Sequence, residues 1–354
     1  MTSTDTRLTR LLGIEHPLLL APMAGVADEA LAIAVARAGG LGALPCAMLD
    51  ADTLRAQVAR FRAAIEAPLN LNFFCHAEPA PDAARDARWR ERLAPYYDAL
   101  GLPRDTQASA AQRRPFDADV CAVVEALRPA VVSFHFGLPA PTLLDRVKAC
   151  GARVLGSATT VAEARWLAGH GCDAIIAQGW EAGGHRGSFL DTDATTQPGL
   201  FALLPQVVDA VDVPVIAAGG IGDARGIHAA LALGAAGVQL GTAFLLSDEA
   251  RTRPVHRAVL QSPRAAQTAV TNLFSGRPAR GIVNRLMREL GPMSDDAPAF
   301  PTAGTALAPL RSRTEPQGSD DFVNLWAGEA APLARSGPAE AIARALIDAA
   351  FRAS

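Results

Sequence analysis

Asp173-Ala-Ile-Ile-Ala-Gln-Gly-Trp-Glu-Ala-Gly-Gly-His-Arg-Gly187 joins a short apolar run to a loop in which four glycines surround one histidine. The run up to Gln178 is apolar and contains two isoleucines, which suits a strand that is buried on both faces. Glycines directly beyond such a strand allow backbone conformations and close ligand approach that a Cβ would forbid. The segment therefore predicts a buried strand with a candidate site, residues 178–187, at its carboxyl end. A glycine-rich turn that carries a surface histidine is the simpler alternative.

The same unit, an apolar run followed by a helical segment, recurs on both sides of this stretch. The predicted strands cover residues 17–23, 41–46, 68–74, 130–135, 153–157, 173–178, 214–218 and 237–241. The predicted helices cover residues 28–38, 50–65, 118–127, 141–150, 161–168, 200–211 and 223–233. Asp50, and Thr160 or Thr159, are predicted helix N-caps. Eight strands that are mostly too apolar for a face in water predict an α/β fold, a parallel (β/α)8 TIM barrel, with a doubly wound open sheet as the alternative.

Two regions depart from this rhythm. Residues 77–115, after the third strand, contain prolines, an arginine-rich helical patch and the polar stretch 101–114, which predicts an insertion on the rim. The segment after Ala250 predicts a helical C-terminal extension that folds back over the barrel mouth. Its predicted helices cover residues 253–260, 280–290 and 339–351, and a proline- and alanine-rich connection covers residues 292–316. We predict a barrel over residues 1–250 and an extension over 251–354, in the same domain or as a small lid subdomain.

Composition excludes several classes of protein. A net charge of -3, with 19% charged residues, gives no basic excess for binding nucleic acid or an anionic membrane surface. The five cysteines have no Cys-x-x-Cys spacing, so we expect free, mostly buried thiols; they are Cys46, Cys75, Cys121, Cys150 and Cys172. Residues 1–10 are polar, and no apolar stretch approaches the roughly 20 residues of a spanning helix. We therefore expect a cytoplasmic protein, monomeric or homodimeric.

The loops after the seventh and eighth predicted strands suit a phosphate. In TIM barrels these two loops commonly hold one, because backbone N–H groups and helix dipoles favour an anion there. The loops here are Gly219-Gly220-Ile221-Gly222-Asp223 and Gln239-Leu240-Gly241-Thr242. A dinucleotide fingerprint fails, since Arg225 stands where the third glycine would be. A phosphate cup is the better interpretation, and tight strand-to-helix turns are the alternative.

The remaining strand ends contribute amides and hydroxyls without clustered carboxylates. They are Met23, Asn70, Asn72, Ser133, His135, Ser157, Thr159 and Gln178. Amides and hydroxyls arranged around the barrel mouth suit a planar heterocycle with many donors and acceptors better than a metal ion. They therefore favour a flavin and no metal.

Two histidines end predicted strands or their loops and are candidate acids, bases or anion binders. These are His135 and His185, and a packed histidine is the alternative, more strongly for His135. The histidines at 16, 170, 228 and 256 are predicted away from this face. Glu181 either orients the loop, contacts a flavin or is a solvated loop acid.

Several motifs together resemble the nitronate monooxygenases, formerly called 2-nitropropane dioxygenases, of the class I type. The motifs are Ala21-Pro-Met-Ala-Gly25, Asn70-Leu-Asn-Phe-Phe-Cys-His76, Val131-Val-Ser-Phe-His-Phe-Gly-Leu-Pro139, Gln178 to Gly187, Ala218-Gly-Gly-Ile-Gly222 and Gln239-Leu-Gly-Thr242. They cover most of residues 15–250. The Gly-Gly-His element is shared with related flavin reductases, so the third- and fourth-strand motifs carry the distinction.

The resemblance implies an FMN-dependent barrel that uses O₂ to oxidise alkyl nitronates, notably propionate 3-nitronate, to carbonyl products and nitrite or nitrate, a detoxifying reaction. It implies FMN contacts from Met23, Asn72, Gln178, Gly183, Gly220 and the turn Gln239 to Thr242, and His185 as the catalytic histidine. Protonated or as a hydrogen-bond donor, His185 would hold the nitronate anion; unprotonated, it would take the α-proton of a neutral nitroalkane. The alternatives are an NAD(P)H-dependent enoyl-acyl-carrier or quinone reductase with a flavin, and a flavin-binding barrel without turnover.

Overall fold

Apolar strands alternate with helices along most of the chain, and the computed structural model describes residues 6–106, 113–191 and 193–351. The strands are β1 Leu18–Leu20, β2 Gly42–Pro45, β3 Leu69–Phe74, β4 Val131–His135, β5 Arg153–Ala158, β6 Ala174–Gln178, β7 Gly184–His185, β8 Val215–Ala218, β9 Gly237–Leu240, β10 Thr268–Thr271 and β11 Ala279–Ile282. The α-helices are α1 Arg7–Leu12, α2 Glu29–Arg37, α3 Ala51–Ala64, α4 Ala83–Ala99, α5 Ala118–Leu127, α6 Pro141–Ala149, α7 Val161–Gly169, α8 Leu200–Val208, α9 Ala224–Ala232, α10 Pro254–Leu260, α11 Arg285–Leu290, α12 Ala308–Thr314 and α13 Ala339–Phe351.

Eight strands form a parallel barrel. Their order is β1-β9-β8-β6-β5-β4-β3-β2. The two end strands meet through a parallel bridge between Leu19 and Leu41, in which the Leu20 N–H donates to the Leu41 carbonyl at 2.9 Å. The predicted TIM barrel is confirmed, and the open doubly wound sheet is excluded because the sheet closes on itself. Strands β8 and β9 are the seventh and eighth barrel strands.

The barrel units form where local sequence predicts them. Asp50 and Thr160 cap helices α3 and α7, because their side chains accept the N–H groups of Thr53 at 2.7 Å and Glu163 at 3.2 Å. Apolar side chains fill the barrel interior near its amino-terminal end, among them Leu19, Leu155, Ile176 and Ile216. A larger apolar layer lies between the strands and the surrounding helices, including α13 from the far end of the chain.

The insertion and the extension share a second apolar core outside the barrel. Trp89, Leu93, Tyr96 and Tyr97 of α4 are buried against Leu273, Phe274, Leu286, Met287 and Phe322 of the extension. The Trp89 indole N–H donates to the Ala303 carbonyl at 3.1 Å, and the Tyr97 hydroxyl donates to that of Ala306 at 2.7 Å. We call residues 76–106, 113–116 and 262–330 the roof, since they cover the carboxyl ends of the barrel strands.

The extension is not purely helical. The predicted helix 280–290 is wrong in its first part, because β11 is a strand and α11 begins only at Arg285. Strand β11 pairs antiparallel with β10 on one side and with β7, the Gly184–His185 pair, on the other. Helical periodicity in the sequence could not reveal this, since a strand is stabilised by partners that are distant in the chain.

Other predictions concern single features. The cysteines are free, four of them buried and Cys75 partly buried. Part of the predicted polar stretch 101–114, residues 107–112, lies outside the described residues, as do residues 1–5 of the amino-terminal segment. In the described ranges, no helix combines the length and apolarity that a membrane span requires.

Candidate active site

A cavity of about 340 Å³ lies where the barrel strands end beneath the roof. This volume is within the range of small-molecule and cofactor sites. Most of the predicted site residues line it: Met23, Asn72, His135, Gln178, Gly183, His185, Gly220, Gln239, Gly241 and Thr242. Two predicted residues do not. Leu240 is buried in the barrel core, and Gly222 packs against the extension, where a Cβ would lie 2.7 Å from the Leu333 Cβ.

The loops after β8 and β9 leave backbone donors free. Gly219 and Gly220 have φ angles of 110° and 69°, a backbone shape that favours glycine. Within the described ranges, the N–H groups of Gly220, Ile221 and Thr242 donate to no protein acceptor. The Thr242 hydroxyl oxygen is already used, because it accepts the Gly328 N–H at 2.9 Å. Free N–H groups on two adjacent loops fit an anion with several oxygens, such as a phosphate.

Polar side chains of the cavity floor fit a ligand with its own donors. The Gln239 Oε1 atom is buried without a hydrogen-bond partner in the described part of the chain. The Asn72 amide donates to the Ser133 hydroxyl at 2.9 Å, and its oxygen accepts no hydrogen bond from the residues that the structure describes. A buried acceptor without a partner is unfavourable unless a ligand supplies a donor. A flavin ring and its ribityl chain carry such donors, so these residues fit a flavin.

Hydrogen bonds hold the loop 178–187 in place. The Gln178 amide donates to the His185 carbonyl at 2.9 Å and accepts the Gly187 N–H at 2.8 Å. Arg186 is fully buried, and it donates to the Gln178 and Gly179 carbonyls and to the Gln197 side chain. Burial, with the nearby charge of Arg280, lowers the pKa of Arg186 to about 10, so it remains a cation.

Glu181 and Gly183 serve the protein's own packing. The Glu181 carboxylate accepts the Leu200 N–H at 2.8 Å, which caps α8. This bond ties the loop that carries Glu181 to the start of α8, so the observed contact fits the role of orienting the loop. At Gly183 a Cβ would lie 2.5 Å from the Gly328 nitrogen. Glycine is required there because the backbone of the extension approaches it, in addition to any cofactor.

His185 faces the cavity with one ring nitrogen held. Its Nε2 lies 2.9 Å from the Ser275 hydroxyl oxygen of the extension, and Ser275 is fully buried. Its ring lies 5.3 Å from that of Phe300 and 5.5 Å from that of Trp326. Burial, then the charge of Arg113, hold the pKa of His185 well below 6.5, so the ring is neutral at pH 7. In the described ranges Nδ1 has no hydrogen-bond partner and is left for a ligand.

His135 supports the loop from below. Its Nε2–H donates to the His185 carbonyl at 3.2 Å, and burial lowers its pKa to about 4. His135 is therefore a neutral donor that holds the backbone of His185, although it also lines the cavity.

Sequence reasoning missed several residues of the site. His256, predicted to lie away from this face, lines the cavity; that prediction is wrong because α10 of the extension folds back over the mouth. Arg113, Arg311 and Trp326 also line it, and Ser275 contacts His185. All come from the insertion or the extension, and no local motif marks them. The sequence feature that could have indicated these residues was the number of arginines and aromatic residues in the segments predicted to cover the barrel mouth.

Known proteins match nearly the whole chain. A family model described as nitronate monooxygenase matches residues 5–348. The nitronate monooxygenase of Pseudomonas aeruginosa is 40% identical over 344 residues, which is 97% of this chain and 98% of that protein. A structure of nitroalkane oxidase from Streptomyces ansochromogenes has 38% identity and a TM-score of 0.86, and covers 96% of each chain. FabK from Thermotoga maritima has 28% identity and a TM-score of 0.71, covering 99% of this chain and 96% of the other. The full-length match and the identity to a relative place this chain in the nitronate monooxygenase family.

Proposed function

We propose that this protein binds FMN in the cavity and uses O₂ to oxidise alkyl nitronates to a carbonyl compound and nitrite or nitrate. The observation that carries the proposal is His185: a neutral imidazole inside a cofactor-sized cavity, with Nε2 held by Ser275 and Nδ1 free. Family membership supports the reaction type.

The contacts to FMN follow from the donors and acceptors of the cavity. The N–H groups of Gly220, Ile221 and Thr242 would hold the phosphate, with Gly241 beside them. The residues nearer the ring would be Met23, Asn72, Gln178, Gly183 and Gln239. When bound, FMN accepts electrons from the substrate and passes them to O₂. Gly222 and Leu240 are not part of this proposal, because neither reaches the cavity.

The neutral His185 ring, with its Nε2 directed at Ser275, has a task only for a substrate that still carries its α-proton. A nitronate has already lost its α-proton, so the site needs only to hold an anion against the ring. A neutral nitroalkane must first lose that proton, which requires a base with a lone pair in the cavity. The Ser275 hydroxyl is 3.3 Å from the Arg277 carbonyl. If it donates there, Nε2 of His185 carries the hydrogen and Nδ1 carries the lone pair. We assign the base role to Nδ1.

The decisive experiment is an absorbance spectrum of the purified protein, followed by oxygen uptake with propionate 3-nitronate. We expect a yellow protein with a flavin spectrum and oxygen uptake that depends on nitronate. Colourless protein that takes up no FMN would contradict the cofactor assignment. Yellow protein that consumes no O₂ with any nitronate would favour a flavin-binding barrel without turnover.

A second measurement separates this function from an NAD(P)H-dependent reductase. Under anaerobic conditions, the flavin absorbance should bleach on mixing with nitronate and remain on mixing with NADH or NADPH. Rapid bleaching by either nucleotide would support the reductase instead.

A further inference from the structure

Trp326 lies beside His185 because both residues pair with strand β11. Trp326 forms an antiparallel bridge with Gly281, and His185 of β7 is opposite Ala279. Residues 279 and 281 are two apart on one strand, so the side chains opposite them project to the same face of the sheet. The two rings are accordingly 5.5 Å apart.

Contacts within the extension fix the position of the Trp326 indole. A Cβ on Gly281 would lie 3.1 Å from the indole Cε3 atom, so the benzene edge of the indole packs against β11. The ring is perpendicular to that of Phe274, with 5.8 Å between the ring centres. Two residues further along the chain, the Gly328 N–H donates to the Thr242 hydroxyl oxygen at 2.9 Å. The indole is therefore positioned by the protein itself.

The indole N–H of Trp326 has no acceptor in the part of the chain that the structure describes. This differs from Trp89, whose indole N–H donates to the Ala303 carbonyl at 3.1 Å. The Trp326 Nε1 atom is on the edge of the indole opposite Cε3, so it points away from β11. It is not sealed inside the protein, and the half-buried indole lines the cavity. The N–H is thus a donor open to a ligand in the cavity.

The proposed reaction needs a donor that His185 does not provide. A nitronate carries its negative charge on the two oxygens bound to nitrogen. When a neutral nitroalkane loses its α-proton, the Cα–H bond breaks, the proton goes to Nδ1 of His185, and the electron pair delocalises onto the same oxygens. A neutral His185 with Nε2 directed at Ser275 has no N–H for those oxygens. Donors placed where charge develops lower the barrier.

The other aromatic side chains near His185 offer no free donor. Phe74, Phe136 and Phe300 have ring centres 6.4, 6.2 and 5.3 Å from that of His185, and they have no polar side-chain atom. The Nε2–H of His135 is already donated to the His185 carbonyl. Among these described neighbours, Trp326 is the one that keeps an N–H for the substrate.

We propose that the Trp326 indole N–H donates to an oxygen of the substrate's nitro or nitronate group, which makes Trp326 a catalytic residue beside His185. This inference rests on the proposed function and deepens it. His185 takes the α-proton where the substrate has one, and Trp326 stabilises the charge on the oxygens of both substrate forms. Variants of the two residues should therefore differ in their dependence on the substrate form.

Arg113 is the rival donor for the same oxygens. It lines the cavity, and its charge contributes to the low pKa of His185. The Arg113 guanidinium is 5.7 Å from the Phe300 ring centre, and that ring is 5.3 Å from the His185 ring. Arg113 thus reaches His185 through Phe300, whereas Trp326 contacts His185 directly. If an anion bound at Arg113 instead, its affinity would not depend on Trp326.

The test measures the binding of nitrate, which has planar oxygens on nitrogen, to the flavin-loaded protein by calorimetry. Trp326→Phe removes the N–H and keeps an aromatic ring, so it should weaken nitrate binding by about tenfold, the scale of a hydrogen bond to a charged group. Replacing Trp326 by 3-benzothienylalanine, in which sulfur stands in place of the N–H, should weaken it similarly. The matched control is Trp166→Phe on α7, a half-buried tryptophan that stacks on His170 and should leave nitrate binding unchanged.

Kinetics separate the donor from the base. Trp326→Phe should lower kcat/KM by about tenfold for both nitroethane and ethyl nitronate, whereas His185→Asn should affect nitroethane far more. Wild-type nitrate affinity in both Trp326 variants overturns the proposal. A loss in the Phe variant that the benzothienylalanine variant does not share also overturns it, because the cause would be ring shape. If the wild type oxidises no nitronate, the proposed function fails, and nitrate binding still decides the role of the indole.

Discussion

The barrel and the roof contribute different chemistry to one cavity. The barrel strand ends supply neutral amides, glycines and free backbone N–H groups, which suit a phosphate and a planar ring. The roof supplies Arg113, Arg311 and Trp326, which suit a charged small molecule beside that ring. The difference supports a proposed division of labour, in which the barrel would hold the cofactor and the roof would select the substrate.

His185 lies at the junction of the two regions. Its chain position follows barrel strand β6, but its backbone pairs with β11 and its Nε2 lies 2.9 Å from Ser275, both in the extension. His135 and Gln178 hold the same residue from the barrel side through its carbonyl. The His185 imidazole is therefore oriented by both regions at once, and variants can separate their contributions.

The largest effect is expected at the junction itself. His185→Asn should lower oxidation of neutral nitroalkanes by about 100-fold or more, because proton abstraction loses its base. Oxidation of preformed nitronates should fall far less, because these have no α-proton to lose. Steady-state oxygen uptake with each substrate form measures the two losses. Equal losses in the two assays would sink the base assignment, and flavin content serves as the control for folding.

The next largest effect is expected from a variant in the apolar core that the insertion and the extension share. Trp89→Ala should lower the free energy of unfolding by about 3–5 kcal/mol, since a large buried side chain is removed. It should also reduce kcat/KM for propionate 3-nitronate, because α4 supports the covering of the cavity. Phe61→Ala is the matched control substitution in the barrel core, where the side chain is also fully buried. We expect it to destabilise similarly with kcat/KM unchanged.

Urea unfolding followed by fluorescence measures the stability part, and oxygen uptake below the unfolding transition measures the kinetic part. If both variants changed kcat/KM to the same extent, the proposed division between barrel and roof would be wrong.

A smaller effect is expected where the two regions touch. Gly183→Ala would place a Cβ 2.5 Å from the Gly328 nitrogen. The extension must then move, and overpacking of this kind destabilises by about 1–3 kcal/mol. Gly169→Ala is the control, because its Cβ would meet nothing within 4 Å and it lies in helix α7. Thermal unfolding of both variants checks the expectation, and a Gly183→Ala protein as stable as the control would contradict it.

The last effect is a dependence of stability on pH. Burial lowers the pKa values of His76, His135 and His256 to about 4. Between pH 6.5 and 4 the unfolded chain binds protons that the folded protein does not, so the free energy of unfolding falls as the pH falls. Each histidine contributes a slope of at most about 1.4 kcal/mol per pH unit.

Urea midpoints measured from pH 7 to pH 4.5 give this slope. His256→Gln should reduce it, and a variant of the exposed His228 of helix α9 serves as the control for histidine replacement. A slope that His256→Gln does not alter would show that this histidine is not buried in neutral form.

Much of the molecule could be predicted from its sequence. The barrel strands and the N-caps at Asp50 and Thr160 are confirmed, and ten of the twelve predicted site residues line the cavity. The family resemblance is confirmed as well. These features succeed because each barrel unit is local: an apolar strand, a loop and a helix within one short stretch, with the loops all at one end of a parallel sheet.

The sequence alone determined the barrel, the glycine loops at the strand ends and His185 as the residue of interest. Only the tertiary structure decided that Ser275 and β11 hold His185, that Gly183 is a glycine because Gly328 approaches it, and that Arg113 and Arg311 face the same cavity. The physical reason is the separation of these residues along the chain. Their contacts depend on a second core between the insertion and the extension, and no periodicity or motif in either segment encodes a partner so far away.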